Sequence, residues 1–247
     1  MYEELKGKYA LITGSAKGIG NEILKKFAEF GINVILHYNS SKDEAENTRK
    51  LISSHVNCLL IKADLTKEEE VKNMFQIINT EVSSLDILIN NAGVHKNHYI
   101  ISTPLSDWDE VVSVNLRGSF LCTKYASKIM MKKKTGNIIN IISTITDRVI
   151  NLQTAYTSSK FGLVGLTKST AKELGKFNIR VNAISPGPIN TNMNDFSMQD
   201  IEDIKHKTPL NTIADGHDIA NTSLFLCSDC ARVITGQIIN VDGGLSL

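Results

Sequence analysis

The sequence has little of what marks several classes of protein. Its 247 residues include only four cysteines, four prolines and one tryptophan. Four cysteines are too few for a disulfide scaffold, and a hydrophobic content of 42% with so little proline argues against disorder. No run approaches the 18 consecutive apolar residues that a membrane-spanning helix needs, so no membrane span is predicted. A globular domain with a large apolar core is therefore expected.

A strong charge of either sign is also lacking. The 27 basic and 26 acidic side chains leave a net charge of +1, which provides no field for attracting nucleic acid or an acidic membrane surface. The chain begins MYEE, which is acidic where a signal peptide would be basic and then apolar. We therefore expect a cytoplasmic protein with neither a nucleic-acid partner nor a membrane partner.

Short runs rich in Ile, Leu and Val alternate with segments of helical periodicity along the whole chain. These runs are continuously apolar, which is typical of parallel strands covered by helices on both faces. The alternation predicts an α/β fold: a doubly wound parallel sheet of Rossmann type, forming a single domain over residues 1–247. The predicted strands are 9–13, 33–37, 58–62, 86–90, 137–142, 179–184 and 237–241.

One polar segment, residues 190–212, interrupts this alternation late in the chain. It carries scattered apolar side chains, and we interpret it as a substrate lid rather than a linker. If it is a lid, its hydrogen exchange should slow when ligands bind.

A glycine cluster follows the first predicted strand and leads into the first helix. Gly14, Gly18 and Gly20 would let the backbone turn tightly and approach a pyrophosphate at the helix N-terminus. A plain glycine turn is the alternative interpretation. The position of the cluster between the first strand and first helix of a parallel sheet favours a dinucleotide site.

The Gly-x-x-x-Gly-x-Gly spacing of this loop resembles that of the short-chain dehydrogenase/reductase family. The resemblance extends over essentially the whole chain, through further motifs in the same order. They are Asn90-Asn91-Ala92-Gly93, Tyr156-x-x-x-Lys160, Pro186-Gly187 and Asp242-Gly243-Gly244. It implies an oxidoreductase that transfers a hydride between a nicotinamide and a carbonyl carbon.

Tyr156 and Lys160 are four residues apart on a predicted helix, so both side chains leave the same face. An ammonium at that range, together with the positive charge of an oxidised nicotinamide, stabilises the phenolate, and opposite charges this close lower a pKa by roughly 1–3 units. The resemblance implies that Tyr156 protonates the carbonyl oxygen while Lys160 tunes it and holds the nicotinamide ribose. It also implies that Ser143, 13 residues before Tyr156, orients the carbonyl, and that Asn115 holds a proton-relay water.

The second predicted strand ends without a carboxylate, since its end reads His37 to Lys42 and the first acid is Asp43. A carboxylate there would repel a 2′-phosphate. Together with the cation of Lys17, this absence favours NADP(H) over NAD(H), unless Lys17 is merely solvated. No metal site is predicted. The expected cofactor-binding residues are Gly14, Ser15, Lys17, Gly18, Ile19, Gly20, Asn39, Asp64, Leu65, Asn91, Ala92, Gly93, Tyr156, Lys160, Pro186, Gly187, Ile189 and Thr191.

Within the family, the chain most resembles the 3-oxoacyl-[acyl-carrier-protein] reductases of fatty-acid biosynthesis. That resemblance implies NADPH-dependent reduction of a β-ketoacyl thioester. Lys134 supplies a basic side chain at one position where a carrier protein could dock. Phe177, Asn211 and Thr212 stand where basic residues are common in these reductases. Dehydrogenases of sugars, steroids or other secondary alcohols share the scaffold and remain alternatives, as does a non-catalytic NADP(H)-binding protein.

Small residues on the Tyr156 helix permit close approach of another helix. Family members use this helix and the preceding one for tetramer contacts, so the resemblance implies a homotetramer. The small residues are Ser159, Gly162, Gly165 and Ser169.

Overall fold

The computed structural model describes residues 2–82, 84–189 and 197–247. In these ranges seven strands form one parallel sheet in the order β3-β2-β1-β4-β5-β6-β7. The strands are β1 (Tyr9–Ile12), β2 (Asn33–Tyr38), β3 (Cys58–Lys62), β4 (Ile87–Asn90), β5 (Gly136–Ile141), β6 (Ile179–Pro186) and β7 (Ile238–Val241).

Eight α-helices are found in the same ranges. They are α1 (Gly18–Glu29), α2 (Lys42–Ile52), α3 (Glu68–Glu81), α4 (Leu105–Val112), α5 (Ser119–Lys133), α6 (Thr154–Leu174), α7 (Met198–Lys207) and α8 (Gly216–Cys227). A π-helical segment, Ser113–Gly118, joins α4 to α5. Such wide turns are rare, and they occur frequently at functional sites.

The strands are apolar throughout because both faces of the sheet are covered. In β1, Ala10 and Ile12 pack into the core formed with α1, α2 and α8, whereas Leu11 points into the core formed with α3 and α5. Phe27 of α1 has no exposed surface in the first of these cores. Burial of apolar residues on both faces explains why the strands lack alternating polarity.

The structure confirms the predicted doubly wound sheet, with strand ends that differ from the prediction by one or two residues. In this sheet β1 is flanked by β2 on one side and by β4 on the other, so the strand order reverses at β1. In open parallel sheets, ligands bind in the crevice at the carboxyl ends of the strands at such a switch point, which here is formed by the loops after β1 and β4. The predicted lid, residues 190–212, lies partly outside the described residues, which begin again at Ser197, just before α7.

None of the helices in the described ranges is both long enough and apolar enough to cross a membrane.

Candidate active site

The loop after β1 is held against the loop after β4 by Thr13 and Asn91. The Thr13 hydroxyl accepts hydrogen bonds from the main-chain N–H groups of Asn91 (2.9 Å) and Ala92 (3.0 Å). The Asn91 amide donates in return to the carbonyls of Thr13 (2.9 Å) and Gly14 (3.2 Å). The two predicted cofactor motifs thus form one connected unit.

The geometry of this unit requires glycine at three positions. Gly14 has a φ of +64° and lies so close to the next loop that a Cβ would stand 3.0 Å from Ala92 Cα. A Cβ on Gly20 would lie 2.4 Å from the Asn91 amide nitrogen. Gly18 also has a positive φ, +62°, but a Cβ there would meet nothing within 4 Å. The open face at Gly18, before the N-terminus of α1, fits the pyrophosphate of a dinucleotide.

Ser143 and Tyr156 lie at the mouth of the crevice. Ser143 follows β5, and its hydroxyl accepts a hydrogen bond from the Ile145 N–H (3.3 Å). Tyr156 is in the first turn of α6, where the His95 ring packs edge-on at 6.2 Å between centroids. Both Ser143 and Tyr156 are half-buried, and their hydroxyls lie close enough to interact.

Lys160 lies beneath Tyr156 and is buried. Its Nζ donates a hydrogen bond to the carbonyl of Ile141 (2.8 Å) and lies 5.4 Å from the centroid of the Tyr156 ring. A Cβ on Gly93 would stand 3.8 Å from this Nζ and 3.3 Å from Asn115 Oδ1. The structure therefore brings the four predicted catalytic side chains to one region beside the glycine loops.

Asn115 lies in the π-helical segment and has no exposed surface. Its Oδ1 accepts from the Val94 N–H (2.8 Å), and its Nδ2 donates to the Val94 carbonyl (2.9 Å) and to Ser159 Oγ (3.0 Å). The side chain thus ties the loop after β4 to α6. Its role in a water relay stays a prediction.

The chain's own groups do not give the predicted lowering of the phenol pKa, and the contribution of an oxidised nicotinamide stays a prediction. Burial raises the pKa of Tyr156, and a hydrogen bond with the Ser143 hydroxyl offsets only part of that increase. The Lys160 ammonium, which is bonded to the Ile141 carbonyl, does not offset the effect of burial on the pKa of the phenol. Burial in turn lowers the pKa of Lys160 to about 8.

The remaining predicted cofactor residues differ in how far their side chains are exposed. Lys17 and Asn39 are exposed, whereas the Ser15 hydroxyl donates inward to the Ile12 carbonyl (2.8 Å). Gly187 lies against the C-terminal motif, since a Cβ there would stand 2.9 Å from Asp242 Cβ. Hence the two glycine motifs that follow β6 and β7 also pack together.

The loop after β3 and the segment after β6 complete the predicted set. The Asp64 carboxylate accepts hydrogen bonds from the N–H (3.0 Å) and hydroxyl (2.7 Å) of Thr66, so it shapes its own turn. The side chains of Leu65 and Ile189 are buried in the two cores, as is that of Pro186 at the end of β6. Thr191 lies outside the described residues.

Sequence reasoning missed three groups that hold the site together. They are the buried His37, the Ile141 carbonyl that accepts from Lys160, and the Ser159 hydroxyl that accepts from Asn115. A histidine within an otherwise apolar strand was a visible signal for the first. No sequence signal marks the other two, because a main-chain carbonyl and a helical serine are unremarkable until the fold places them.

Two apolar loops border the crevice and form what we call the apolar rim. They are joined by a hydrogen bond from the His98 N–H to the Leu152 carbonyl (2.8 Å). The rim side chains are between 37% and 95% exposed. The apolar rim consists of Tyr99, Ile100, Ile101, Leu105, Val149, Ile150 and Leu152.

Across the part of the chain that the structure describes, no group of three or more His, Cys, Asp or Glu side chains is arranged to hold a metal ion. All four cysteines are free thiols.

Comparison with known proteins agrees with the fold and the motifs. The family model described as "Enoyl-(Acyl carrier protein) reductase" matches residues 14–246. The chain is 38% identical over 240 residues to the 3-oxoacyl-[acyl-carrier-protein] reductase FabG of Staphylococcus epidermidis, covering 96% of this chain and 98% of that protein.

Two solved structures are closely similar. One, from Agrobacterium tumefaciens, is described as a gluconate dehydrogenase; it has a TM-score of 0.95 at 28% identity and covers 100% of this chain and 98% of its own. The other is a gluconate 5-dehydrogenase of Burkholderia cenocepacia in complex with NADP and tartrate. It has a TM-score of 0.93 at 25% identity and covers 99% of this chain and 97% of its own.

Proposed function

Because the chain belongs to the short-chain dehydrogenase/reductase family of oxidoreductases, we propose that it is an NADPH-dependent carbonyl reductase acting on 3-oxoacyl thioesters linked to an acyl-carrier protein. The observation that carries the proposal is the pair of half-buried hydroxyls, Ser143 and Tyr156, above the buried Lys160 and beside the glycine loops. The 38% identity to a 3-oxoacyl-[acyl-carrier-protein] reductase supports the choice of substrate.

In the proposed reaction, the substrate carbonyl oxygen lies between the hydroxyls of Ser143 and Tyr156. Both hydroxyls donate hydrogen bonds to it, which stabilises the negative charge that develops on oxygen. Tyr156 then transfers its proton to that oxygen as the general acid. A nicotinamide held beside these hydroxyls would supply the hydride for the carbonyl carbon.

The same chain residues would orient the cofactor. The glycine loop that includes Gly14 and Gly18 presents main-chain N–H groups at the start of α1, where a pyrophosphate is favoured. Lys160 would hold the nicotinamide ribose beneath Tyr156. Its ammonium already contacts the Ile141 carbonyl, so its position is set by the sheet before any ligand binds.

The apolar rim favours a substrate that carries an acyl chain, because exposed apolar clusters bind apolar groups. The chain would lie against the rim, outside the crevice. A sugar-acid dehydrogenase is the second candidate, because the two similar structures are described as gluconate dehydrogenases. An apolar rim is a poor surface for a polyhydroxy acid, whose hydroxyls need polar partners.

Steady-state kinetics distinguish these functions. The full chain is assayed with acetoacetyl thioesters of acyl-carrier protein and of coenzyme A, using NADPH and NADH, and with gluconate and NADP⁺. We expect kcat/KM with the thioesters and NADPH to exceed that with gluconate by about 10²-fold or more. A preference for gluconate would support the second candidate, and nucleotide binding without any turnover would favour a non-catalytic role.

Lys17→Ala should weaken NADPH selectively. Removing the exposed cation at the start of α1 takes away a charged partner for the 2′-phosphate, so the KM for NADPH should rise about 10-fold. The KM for NADH, which lacks that phosphate, should stay unchanged. Lys50→Ala, at an exposed lysine of α2, is the control. Equal changes for both nucleotides would show that Lys17 does not contact the 2′-phosphate.

A homotetramer is part of the same proposal. Gly162 packs against Leu116 of the same chain, since a Cβ there would lie 2.5 Å from the Leu116 side chain. Gly165, by contrast, faces open space. Phe120 of α5 and Phe161 of α6 are 47% and 48% exposed, so contacts between copies of these two helices would remove apolar surface from water. Sedimentation equilibrium should give four chains, and a monomer would contradict this arrangement.

A further inference from the structure

His37 is a buried polar residue in an otherwise apolar strand. It occupies the next-to-last position of β2 and is 2% exposed, after Val34, Ile35 and Leu36, which have no exposed surface. Its Nδ1 accepts a hydrogen bond from the Gly14 N–H (3.0 Å), and its Nε2 lies 3.0 Å from the Ala63 carbonyl oxygen.

The two partners assign the tautomer of the ring. A carbonyl oxygen only accepts, so Nε2 carries the proton and donates it, whereas Nδ1 is bare because it faces an N–H. A second proton on Nδ1 would oppose the Gly14 N–H and remove that bond. Burial lowers the pKa of His37 to about 4, so the ring is neutral at physiological pH.

The contacts of His37, in β2, join two loops at one end of the sheet. Gly14 begins the glycine loop after β1, and Ala63 precedes Asp64 in the loop after β3. Because β2 lies between β1 and β3 in the sheet, the ring of His37 on β2 reaches both loops. The main chain adds two further links, from the Ser15 N–H to the His37 carbonyl (3.0 Å) and from the Ala63 N–H to the Tyr38 carbonyl (3.1 Å).

We propose that His37 is a positioning residue of the nucleotide site, whose neutral imidazole sets the glycine loop and the loop after β3 in fixed relative positions. This proposal rests on the proposed function, in which those loops hold the phosphates and the adenosine of NADPH. The bond to Gly14 carries the effect, because Gly14 begins the glycine loop and has the left-handed φ of +64°. An apolar residue would fill the core equally well but would leave the Gly14 N–H without this acceptor.

Two substitutions separate the two bonds of the ring. In His37→Asn, the amide oxygen can take the place of Nδ1 and accept from Gly14, but the side chain is too short to reach Ala63. In His37→Gln, the amide nitrogen can take the place of Nε2 and donate to Ala63, but no acceptor faces Gly14. His37→Leu removes both bonds.

The experiment measures NADPH binding by fluorescence titration of the full-length protein, together with thermal denaturation of each variant. We expect His37→Asn to bind NADPH within about threefold of the unmodified protein. We expect His37→Gln and His37→Leu to bind about 10-fold more weakly, as the loss of one positioning bond implies. The control His55→Gln, at an exposed histidine, should bind as the unmodified protein does.

The comparison of Asn with Gln stands even if His37→Leu does not fold. A purely structural role predicts affinity losses that follow the losses in melting temperature, whichever bond is kept. Equal affinities for His37→Asn and His37→Gln would overturn the positioning role while leaving the proposed function intact. If the unmodified protein binds no nicotinamide nucleotide, the proposed function and the role of His37 both fall.

Discussion

Replacing Tyr156 with phenylalanine should lower kcat by about 10²–10⁴-fold, the range that a general acid contributes, and leave the affinity for NADPH within about twofold. The substitution removes only the hydroxyl. The ring would keep its edge contact with His95 and its position over Lys160. Steady-state kinetics on acetoacetyl thioesters and fluorescence titration with NADPH measure the two quantities separately.

Tyr99→Phe is the matched control for this substitution. Tyr99 belongs to the apolar rim and is 68% exposed, so loss of its hydroxyl should change neither kcat nor the affinity for NADPH. If the Tyr156→Phe variant keeps more than about a tenth of the original kcat, another group must protonate the carbonyl oxygen. A parallel loss of NADPH affinity would instead assign Tyr156 to binding.

The raised pKa of Tyr156 bears on the direction of the reaction. A phenol with its usual pKa is protonated at neutral pH, and burial raises the pKa of Tyr156 further, so the side chain is in the form that donates a proton when a carbonyl is reduced. Oxidation of an alcohol requires the phenolate, so that direction needs a nearby positive charge to lower the pKa. Alcohol oxidation should therefore improve with rising pH, as more of the phenol loses its proton.

Most of the fold could be predicted from the sequence because parallel strands buried on both faces leave continuous apolar runs. The runs at 58–62 and 179–184 coincide with β3 and with most of β6. The glycine loop was predictable for a similar reason, since few residues besides Gly tolerate the φ values at Gly14 and Gly18.

The failures concern contacts between residues that are distant in sequence. The four-residue spacing of Tyr156 and Lys160 shows that they share a helix face, but not that the ammonium is bonded to the Ile141 carbonyl, 19 residues away. Nor does it show how far burial raises the pKa of the phenol. His37 likewise bridges partners 23 and 26 residues distant, a role that depends on the order of strands in the sheet.

Lys160→Met should lower kcat by about 10²-fold or more, because the ammonium that would hold the nicotinamide ribose beneath Tyr156 is lost. The substitution should not destabilise the fold, so the loss of turnover can be separated from unfolding. Burial lowers the pKa of Lys160 from 10.5 to about 8. Below pH 8 the folded and unfolded chains both hold the proton, and the buried charge costs the folded state about 3 kcal/mol. Methionine has a similar unbranched shape and removes that cost.

The substitution also removes the hydrogen bond to the Ile141 carbonyl, which leaves a buried acceptor at a cost of about 1–3 kcal/mol. The two effects nearly cancel, so the free energy of unfolding at pH 7 should be unchanged or up to about 2 kcal/mol higher. Because the unfolded chain binds more protons between pH 8 and pH 10.5, the stability of the unmodified protein relative to Lys160→Met should rise over that range.

Urea denaturation at pH 7 and pH 10 measures this difference, with Lys168→Met as the control on the same helix. Lys168 is exposed, so its removal should change neither kcat nor the dependence of stability on pH. A Lys160→Met protein that is several kcal/mol less stable at pH 7 would show that the ammonium contributes to the fold. In that case the loss of turnover could not be assigned to the chemistry of Tyr156 and its neighbours.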